Sequence, residues 1–314
     1  MSAYRRILVV LDHDANETPA LHRAVALARA SGAELRIRLY ARNRTADALD
    51  HMNHRLAGIA QESALSRCRD WLEDLRFELQ ESGLRVQTEV QWQTADAINI
   101  LNHALDDAPD LLVKDAGRAS RLRTLVPISV DHELLRLCPF PLYLVHREGH
   151  RLPEKVAAAV DPQHPWHRDR ALNERVLRAA RDCASQSSAS LELFSVFTPA
   201  PPHAASDAAT AVPARAAYQA ELERLAARYG AASARTHTLD GEPVQALTAA
   251  VHTHDVDLLV IGSLCRRNLT VVVAGSVAAR LIDTVDCDVL AIKPAGFEQD
   301  FVQAFGVPLN TTVR

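Results

Sequence analysis

The stretch DVDLLVIGSLCR, residues 255–266, decides the fold because a close counterpart, APDLLVKDAGR, occurs at residues 108–118. The apolar runs begin after positions 110 and 257, which is an offset of 147 residues. The same offset aligns LLRLCPFPLYLVH at 134–146 with LIDTVDCDVLAIK at 281–293. The starts of the halves also match, as RRILVVLDHD at 5–14 and EKVAAAVDPQ at 154–163. The chain is therefore predicted to be one unit of about 150 residues written twice.

Each half alternates short apolar runs, typical of strands, with segments of helical periodicity. In the second half, strands are predicted at 155–160, 191–197, 233–239, 258–261 and 288–292, helices at 169–185, 215–229, 243–252 and 275–284, and a loop rich in alanine and proline at 199–213. Alternating strands and helices form parallel sheets with right-handed crossovers. The predicted fold class is α/β, with two tandem doubly wound domains, each on a five-stranded parallel sheet. The domains are predicted at 1–150 and 151–296, followed by a C-terminal tail at 297–314.

The composition is that of an ordinary globular protein. Hydrophobic residues make up 48% and charged residues 24% of the 314 residues, and the formal net charge is −4 with both signs interspersed. This pattern lacks the basic field that nucleic acid attracts. The apolar run after Arg6 is too short for a signal peptide, and no run approaches the roughly 20 residues of a membrane helix. We expect a cytoplasmic protein with neither a nucleic-acid partner nor a membrane association.

The cysteines and histidines form no recognisable disulfide or metal motif. Five widely spaced cysteines without a C-x-x-C pair suit reduced thiols. The histidines that lie nearest to one another in the chain have no cysteine partners at zinc-finger spacing. These histidines are His51, His54, His252 and His254. They are predicted to be solvated surface side chains, and no metal ligand is assigned.

A candidate ligand site lies where the second copy changes from strand to helix. In an open parallel sheet, ligands bind beyond the carboxyl ends of the strands, where the strand order reverses. Gly262 ends a predicted strand, and Gly275-Ser276 begins a predicted helix, whose unpaired N–H groups suit phosphate. Asp161, at the end of the first strand of that half, could hold a ribose or a metal ion. The alternative is that Gly262 and Gly275 are only turn and packing glycines.

The spacing of these residues resembles the universal stress protein motif G-x2-G-x9-G-[S/T]. Gly262 matches the first glycine and Gly275-Ser276 the final pair. In the ATP-binding members of that family the motif wraps the ribose and phosphates of the nucleotide. The resemblance therefore implies ATP, with or without Mg²⁺, as the ligand of the second domain. The residues that it implies as nucleotide-binding are Asp161, Gly262, Leu264, Arg266, Gly275, Ser276 and Val277.

The resemblance extends over nearly the whole chain. VDCDVLAIKP at 285–294 is similar to the last strand of the family, and LDGEPVQALTAAV at 239–251 to its G-x-P segment. The chain is most similar to the tandem E type, whose first half carries a K-x-A and an LLR-x-C-P-x-P segment. Here these segments read Lys114-Asp115-Ala116 and LLRLCPFP at 134–141.

One residue departs from the motif. Cys265 stands where the second glycine is expected, and a cysteine is strained if that position requires a positive φ. The loop is then reshaped and tight ATP binding is in question. Cys265 also lies beside Arg266 and Arg267, and cationic surroundings make a thiol more reactive. A redox-sensitive thiol is therefore an alternative role.

The first half lacks the residues of the phosphate loop. Asp115 replaces the first glycine and Ile128 the later one, and a β-branched residue tolerates positive φ poorly. Three arginines between them, favoured as part of a solvated loop rather than as anion ligands, are Arg118, Arg121 and Arg123. Lys114 interrupts an apolar run and needs a carboxylate partner. Asp12 or Asp14 is predicted to supply it.

Three functions remain open from the sequence. The first is a nucleotide-binding stress-response sensor or regulator with at most weak ATPase activity, because no catalytic motif is found. The second is an interaction scaffold, in which the halves form an internal pseudo-dimer through 142–146 and 289–292 and the chain forms a homodimer. The third is a binder of another anionic or lipid-like small molecule, gated by the 199–213 loop. Substitution of Gly275 separates these hypotheses.

Overall fold

The protein forms two compact units that meet in sequence between Leu152 and Pro153. The computed structural model describes residues 4–12, 16–42, 54–117, 129–149, 151–163, 167–198, 208–263, 277–297, 299 and 301. Within each unit five parallel strands alternate with helices. Among these described residues, no helix combines the length and the apolar character needed to cross a membrane.

The first unit contains five strands and four described helices. The strands are β1 (Arg6–Asp12), β2 (Glu34–Tyr40), β3 (Val86–Gln91), β4 (Leu111–Asp115) and β5 (Leu142–Val145). The helices are α1 (Pro19–Ser31), α2 (His54–Glu81), α3 (Ala97–Asp107) and α4 (Val130–Leu137). The strand order is β3-β2-β1-β4-β5, and every neighbouring pair is parallel.

The second unit repeats this arrangement. Its strands are β6 (Lys155–Ala159), β7 (Ser190–Phe197), β8 (Arg235–Asp240), β9 (Leu258–Gly262) and β10 (Asp288–Ile292). Its described helices are α5 (His167–Ser187), α6 (Ala208–Arg228), α7 (Pro243–Thr253) and α8 (Val277–Thr284). The order β8-β7-β6-β9-β10 is the order of the first unit, strand for strand, and its pairs are also parallel. The predicted doubly wound α/β fold is confirmed.

The central strands are buried on both faces, which explains their continuous apolar runs. In β6 the residues Val156, Ala157 and Ala158 are completely buried, and in β9 so are Leu258, Leu259 and Val260. Parallel strands read this way because crossover helices cover both faces of the sheet. Burial of the apolar side chains is the main term that stabilises each unit.

One predicted boundary is wrong. Helix α6 begins at Ala208, inside the segment predicted to be a loop, so residues 208–213 are helical. The alanines of this segment are the strongest helix formers, and one proline removes a single backbone hydrogen bond. The predicted glycine end of the helix is confirmed, since Gly230 has a φ of 74° and follows Arg228 closely. Residues 199–207 lie outside the described part of the chain.

The strand order creates one crevice in the second unit. The chain leaves β6 toward β7 on one side, whereas β9 is the neighbour of β6 on the other side. Ala159 pairs with Ile261 in the parallel register, so Asp161 and Gly262 leave the sheet at the same edge. This edge is the carboxyl end of the strands, where open α/β sheets bind ligands.

Candidate functional site

The described part of the candidate site consists of Asp161, Gly262 and Val277. Asp161 follows β6, Gly262 is the last residue of β9, and Val277 is the exposed first residue of α8. The other predicted site residues, Leu264, Arg266, Gly275 and Ser276, lie outside the described residues, as do Cys265 and Arg267. The structure therefore brings Asp161 and Gly262 to one edge of the sheet and leaves the loop between β9 and α8 undescribed.

Gly262 is required for packing. A Cβ at this position would lie 2.7 Å from Cδ2 and 2.9 Å from Cγ of Leu172, a buried residue of α5. The glycine is not among those with positive φ, so its role is to provide space rather than backbone freedom. Helix α5 can therefore approach the end of β9 closely. This explains Gly262 without a ligand, and it agrees with the packing alternative for this glycine.

Hydrogen bonds fix the backbone of Asp161, while the residue itself is exposed. The Asp161 N–H donates to Oδ1 of Asn173 at 3.3 Å, and Nδ2 of Asn173 donates to the Asp161 carbonyl oxygen. The carboxylate Oδ1 accepts from the N–H of Gln163 at 3.1 Å. Asn173 is buried on α5, so the helix fixes the position of the chain where it leaves β6. The backbone of Asp161 is thereby fixed at the carboxyl edge of the sheet.

A buried hydrogen-bond network lies beneath this edge. Ser195 of β7 donates to the carbonyl oxygen of Val160 at 2.7 Å and lies 2.6 Å from the hydroxyl of Tyr218 on α6. The Tyr218 hydroxyl also donates to the carbonyl oxygen of Val196 at 3.1 Å. Burial raises the pKa of Tyr218 to about 12; the hydrogen bond to Ser195 lowers it, and the nearby charge of Asp161 raises it further. The network links β6, β7 and α6.

A buried cation lies at the same carboxyl edge. Lys293 follows β10, is 4% exposed, and donates from Nζ to Oγ of Ser263 at 3.2 Å. Ser263 follows β9, and its N–H donates to the carbonyl oxygen of Ile292 at 2.8 Å. The Lys293 ammonium also lies 4.5 Å from the centre of the Phe297 ring. The Lys293 ammonium thus lies between the carboxyl ends of β9 and β10.

Sequence reasoning missed Asn173, Ser195, Tyr218 and Lys293. Asn173 and Tyr218 lie within helical periodicity, and Ser195 lies within an apolar strand, so no local pattern marks them. Lys293 could have been found, because it is a charged residue directly after a buried strand, as Lys114 is within one. A cation at the carboxyl end of a parallel strand is a signal that can be read from sequence.

At the equivalent position, the first unit has charged side chains that pair with one another. Lys114 Nζ lies 3.0 Å from Oδ1 of Asp131, in the first turn of α4, and donates to the carbonyl oxygen of Asp115 at 2.8 Å. The other carboxylate oxygen of Asp131 accepts from the N–H of Gly117 at 2.6 Å. The Asp115 carboxylate accepts from the N–H of Ala20 at the start of α1 at 2.8 Å.

The prediction of Asp12 as the carboxylate partner of Lys114 is therefore wrong. The carboxylate belongs to Asp131 at a helix N-terminus rather than to Asp12, and Asp14 lies outside the described residues. A helix N-terminus stabilises a negative charge, and Asp131 is already close to β4, so this pairing needs no other strand end. The three loop arginines, Arg118, Arg121 and Arg123, also lie outside the described residues.

The second unit has uncharged residues at these positions. The offset of 147 residues aligns Lys114 with Ile261, Asp115 with Gly262 and Asp131 with Ala278. The acidic residues of the first turn of α4 have no counterpart in α8, whose first turn contains none. The N-terminus of α8 is therefore not neutralised by a carboxylate of its own first turn.

The histidine prediction is wrong for His254. Its Nδ1 lies 2.7 Å from Oε2 of the buried Glu192, and its side chain is only 26% exposed. His252 is exposed, as predicted. His51 and the side chain of His54 lie outside the described residues. His254, directly after α7, is thus turned toward Glu192 of the sheet.

Comparison with known proteins identifies the family. The model of the universal stress protein family matches the chain twice, over residues 3–146 and 155–293. The chain belongs to the universal stress protein family. The two matches coincide with the two copies of the repeat, so both units are universal stress protein domains.

Two relatives match this chain over nearly its full length. Universal stress protein E of Photorhabdus laumondii is 24% identical over 306 residues, which are 95% of this chain and 98% of the relative. Universal stress protein E of Escherichia coli K12 is also 24% identical, over 95% of this chain and 96% of its own length.

Solved structures show the same fold. A Pseudomonas aeruginosa UCBPP-PA14 chain assigned to the universal stress proteins superposes with a TM-score of 0.75 at 24% identity, over 98% of this chain and 99% of that chain. A universal stress protein of Archaeoglobus fulgidus superposes with a TM-score of 0.67 at 13% identity, over 93% and 97%.

Proposed function

We propose that the second unit binds an adenine nucleotide, ATP with Mg²⁺, at the carboxyl ends of β6 and β9, and that the protein acts as a nucleotide-dependent sensor or regulator in a stress response. The observation that carries this proposal is the contrast between the two units at one position. The first unit has Asp131 in the first turn of α4, with its carboxylate bound by Lys114 and Gly117, whereas the second unit has Ala278 there. The resemblance to the ATP-binding members of the family supports the choice of ligand.

The N-terminus of α8 is the proposed phosphate-binding element. Its first turn has no acidic residue, and unpaired N–H groups at a helix start bind phosphate oxygens. The proposed contacts are the N–H of Val277, the preceding Gly275-Ser276 and, from the same loop, Leu264 and Arg266. An arginine recognises phosphate through paired N–H donors.

Asp161 is the proposed contact to the ribose. Its carboxylate is a strong acceptor for hydroxyl donors. The hydrogen bonds of the Asp161 backbone to Asn173 keep the residue at the edge of the crevice. Gly262 is proposed to contribute indirectly, because the close approach of Leu172 that it permits positions α5 beside the same edge.

We expect at most weak ATP hydrolysis, and no residue is assigned a catalytic role. The segment GSVAAR at 275–280 has no lysine where a P-loop uses one to contact the phosphates. Binding, rather than turnover, is then the proposed signal. The physical output is a nucleotide-dependent stabilisation of the second unit.

The proposal is tested by calorimetric titration of the full chain with ATP and Mg²⁺, together with thermal unfolding. We expect one site per chain, and at about 100 times the dissociation constant the nucleotide should stabilise the second unit by about 2.7 kcal/mol. The Gly275→Val variant should abolish binding, because a β-branched side chain obstructs the start of the helix. Ile128→Val, at the same repeat position of the first unit, is the matched control and should leave binding unchanged.

Two results would overturn the proposal. One is a wild-type chain that binds no nucleotide, which would favour another anionic or lipid-like ligand or a scaffold role. The other is a Gly275→Val variant that binds ATP as tightly as the wild type. In that case the loop and the start of α8 would not form the site.

A further inference from the structure

A second cluster of polar side chains lies on the amino-terminal half of the sheet of the second unit. Glu192 is the third residue of β7, His237 is the third residue of β8, and His254 directly follows α7. The nucleotide site proposed above lies at the carboxyl ends of the strands. The two sites are therefore separate and their tests are independent.

The ligand atoms of the three side chains converge. Glu192 Oε2 lies 3.1 Å from Nε2 of His237 and 2.7 Å from Nδ1 of His254, and the three atoms all lie within 4.8 Å of one another. In a tetrahedral zinc site, donors about 2.0–2.2 Å from the ion are about 3.3 Å apart. The two imidazole rings also contact each other, with centroids 4.4 Å apart.

Glu192 is buried, the two histidines are partly buried, and both lie within ion-pair distance of its carboxylate. The Glu192 side chain is only 9% exposed, and the side chains of His237 and His254 are 27% and 26% exposed. Among the described residues, neither Oε2 of Glu192 nor Nε2 of His237 has a partner with hydrogen-bond geometry. A buried carboxylate without such a partner is costly, so it requires a compensating positive charge.

The groups that face the Glu192 carboxylate are the imidazoles of His237 and His254. Two imidazolium ions whose rings touch would repel each other. Neutral imidazole nitrogens, in contrast, are metal ligands.

The first unit supplies a natural comparison. At the equivalent positions it has Arg36 for Glu192, Glu89 for His237 and Asp107 for His254, as the strand registers and the repeat offset show. There Asp107 pairs with Arg36 at 2.7 Å and with Arg38 at 3.0 Å, and Arg38 also pairs with Glu89.

At this position of the fold, the two copies thus surround a buried carboxylate with different side chains. The first unit balances its buried carboxylate with two guanidinium groups. The second unit has no arginine at either position, because Arg36 aligns with Glu192 and Arg38 with Phe194. Its buried carboxylate faces two imidazoles instead. The guanidinium groups of the first unit thus have no counterpart at the aligned positions of the second.

We propose that Glu192, His237 and His254 bind a divalent transition-metal ion, with Zn²⁺ as the best fit. Two imidazole nitrogens and one carboxylate oxygen are the donor set of three-ligand zinc sites, which leave one position open. Glu192 and His254 also line a cavity of about 770 Å³ that gives an ion access. Lys155, Arg181 and Arg235 line the same cavity, so the open position suits water or a small anion.

The test is Zn²⁺ binding by the full chain after treatment with a chelator, measured by competition with a chromophoric chelator. We expect one tight site per wild-type chain. Removal of an outer-shell partner typically costs about 10–100-fold in affinity, so loss of a direct ligand in Glu192→Gln, His237→Asn or His254→Asn should cost at least as much. His252→Asn, two residues from His254 and exposed, is the matched control and should bind as the wild type does.

Co²⁺ provides a second readout that does not depend on the folding of a variant. Bound to the wild-type chain, it should give the intense visible bands of a four- or five-coordinate ion. The proposal is overturned if the wild type binds no Zn²⁺, if the three variants retain full affinity, or if His252→Asn loses as much as they do. Weak octahedral Co²⁺ bands alone would equally overturn it.

Discussion

At the scale of single residues, the Lys114–Asp131 pair distinguishes the first unit from the second. The Lys114 and Asp131 side chains are 13% and 8% exposed, so both charges are largely withdrawn from water. Removal of one partner from a buried pair strands the other charge and costs about 3–5 kcal/mol. We predict that Lys114→Met lowers the unfolding free energy of the first unit by about 3 kcal/mol, as measured by denaturant unfolding.

The control for this prediction replaces both charges with the residues of the second unit. Lys114→Ile with Asp131→Ala should cost much less than Lys114→Met, because no charge is then left unpaired. A single variant that loses less than about 1 kcal/mol would mean that the pair behaves as an exposed salt bridge. The Lys114–Asp131 pair at the start of α4 would then contribute little to the stability of the first unit.

Gly262 provides a prediction about packing. Gly262→Ala places a methyl group 2.7 Å from Cδ2 of Leu172, and overpacking of this kind costs about 1–3 kcal/mol. Leu172→Ala alone opens a cavity and costs about 2–5 kcal/mol. In the double variant the two changes should compensate, so its loss of unfolding free energy should be smaller than the sum of the single losses. Additive losses would contradict the packing role.

At the scale of elements, the Tyr218 network links α6 to the carboxyl ends of β6 and β7, and it makes stability depend on pH. The pKa of Tyr218 rises from 10.0 to about 12 in the folded state, chiefly through burial. Between these values the folded chain keeps a proton that the unfolded chain releases. The resulting stabilisation is complete below pH 10 and is lost as the pH rises toward 12.

Tyr218→Phe should therefore reduce the slope of unfolding free energy against pH in the alkaline range. Tyr40 of the first unit, whose pKa burial also raises, remains in the variant and continues to contribute. The measurement is denaturant unfolding at several pH values from about 9 to 12 for both chains. An identical slope in the two chains would mean that Tyr218 titrates normally in the folded state.

The elements themselves could mostly be predicted from the sequence. Periodicity placed the strands and helices of the second half within a few residues, because buried parallel strands give continuous apolar runs. The start of α6 could not be placed, since Pro213 suggested a loop while the alanines around it favour a helix. When neighbouring residues favour different structures, local propensity cannot place the boundary.

At the scale of the whole molecule, the repeat determined how much of the site could be predicted. The rule that ligands bind beyond the carboxyl ends of parallel strands placed Asp161 and Gly262 at one edge, and the register of β6 and β9 agrees. The rule could not identify the partner of Lys114 or the contacts of His254, because these depend on side-chain direction across the fold. Glu192, His237 and His254 are far apart in sequence and follow no spacing rule for metal ligands.

The two copies share one fold but differ in the residues at two equivalent sites. In the first unit, ion pairs occupy both sites: Lys114–Asp131 at one edge of the sheet and Arg36–Asp107 at the other. The second unit has different residues at both sites. Ligands from solution are the proposed substitutes, an anionic nucleotide at one and a metal cation at the other. The fold is retained in both copies, while function depends on the site residues.

The central claim, that only the second unit offers a nucleotide site, is tested most directly by hydrogen–deuterium exchange of the full chain with and without saturating ATP and Mg²⁺. The account predicts slower exchange at the carboxyl ends of β6 and β9 and at the start of α8, with no change at the end of β4 or the start of α4. Protection at β4 and α4, or no protection anywhere in the chain, would contradict it.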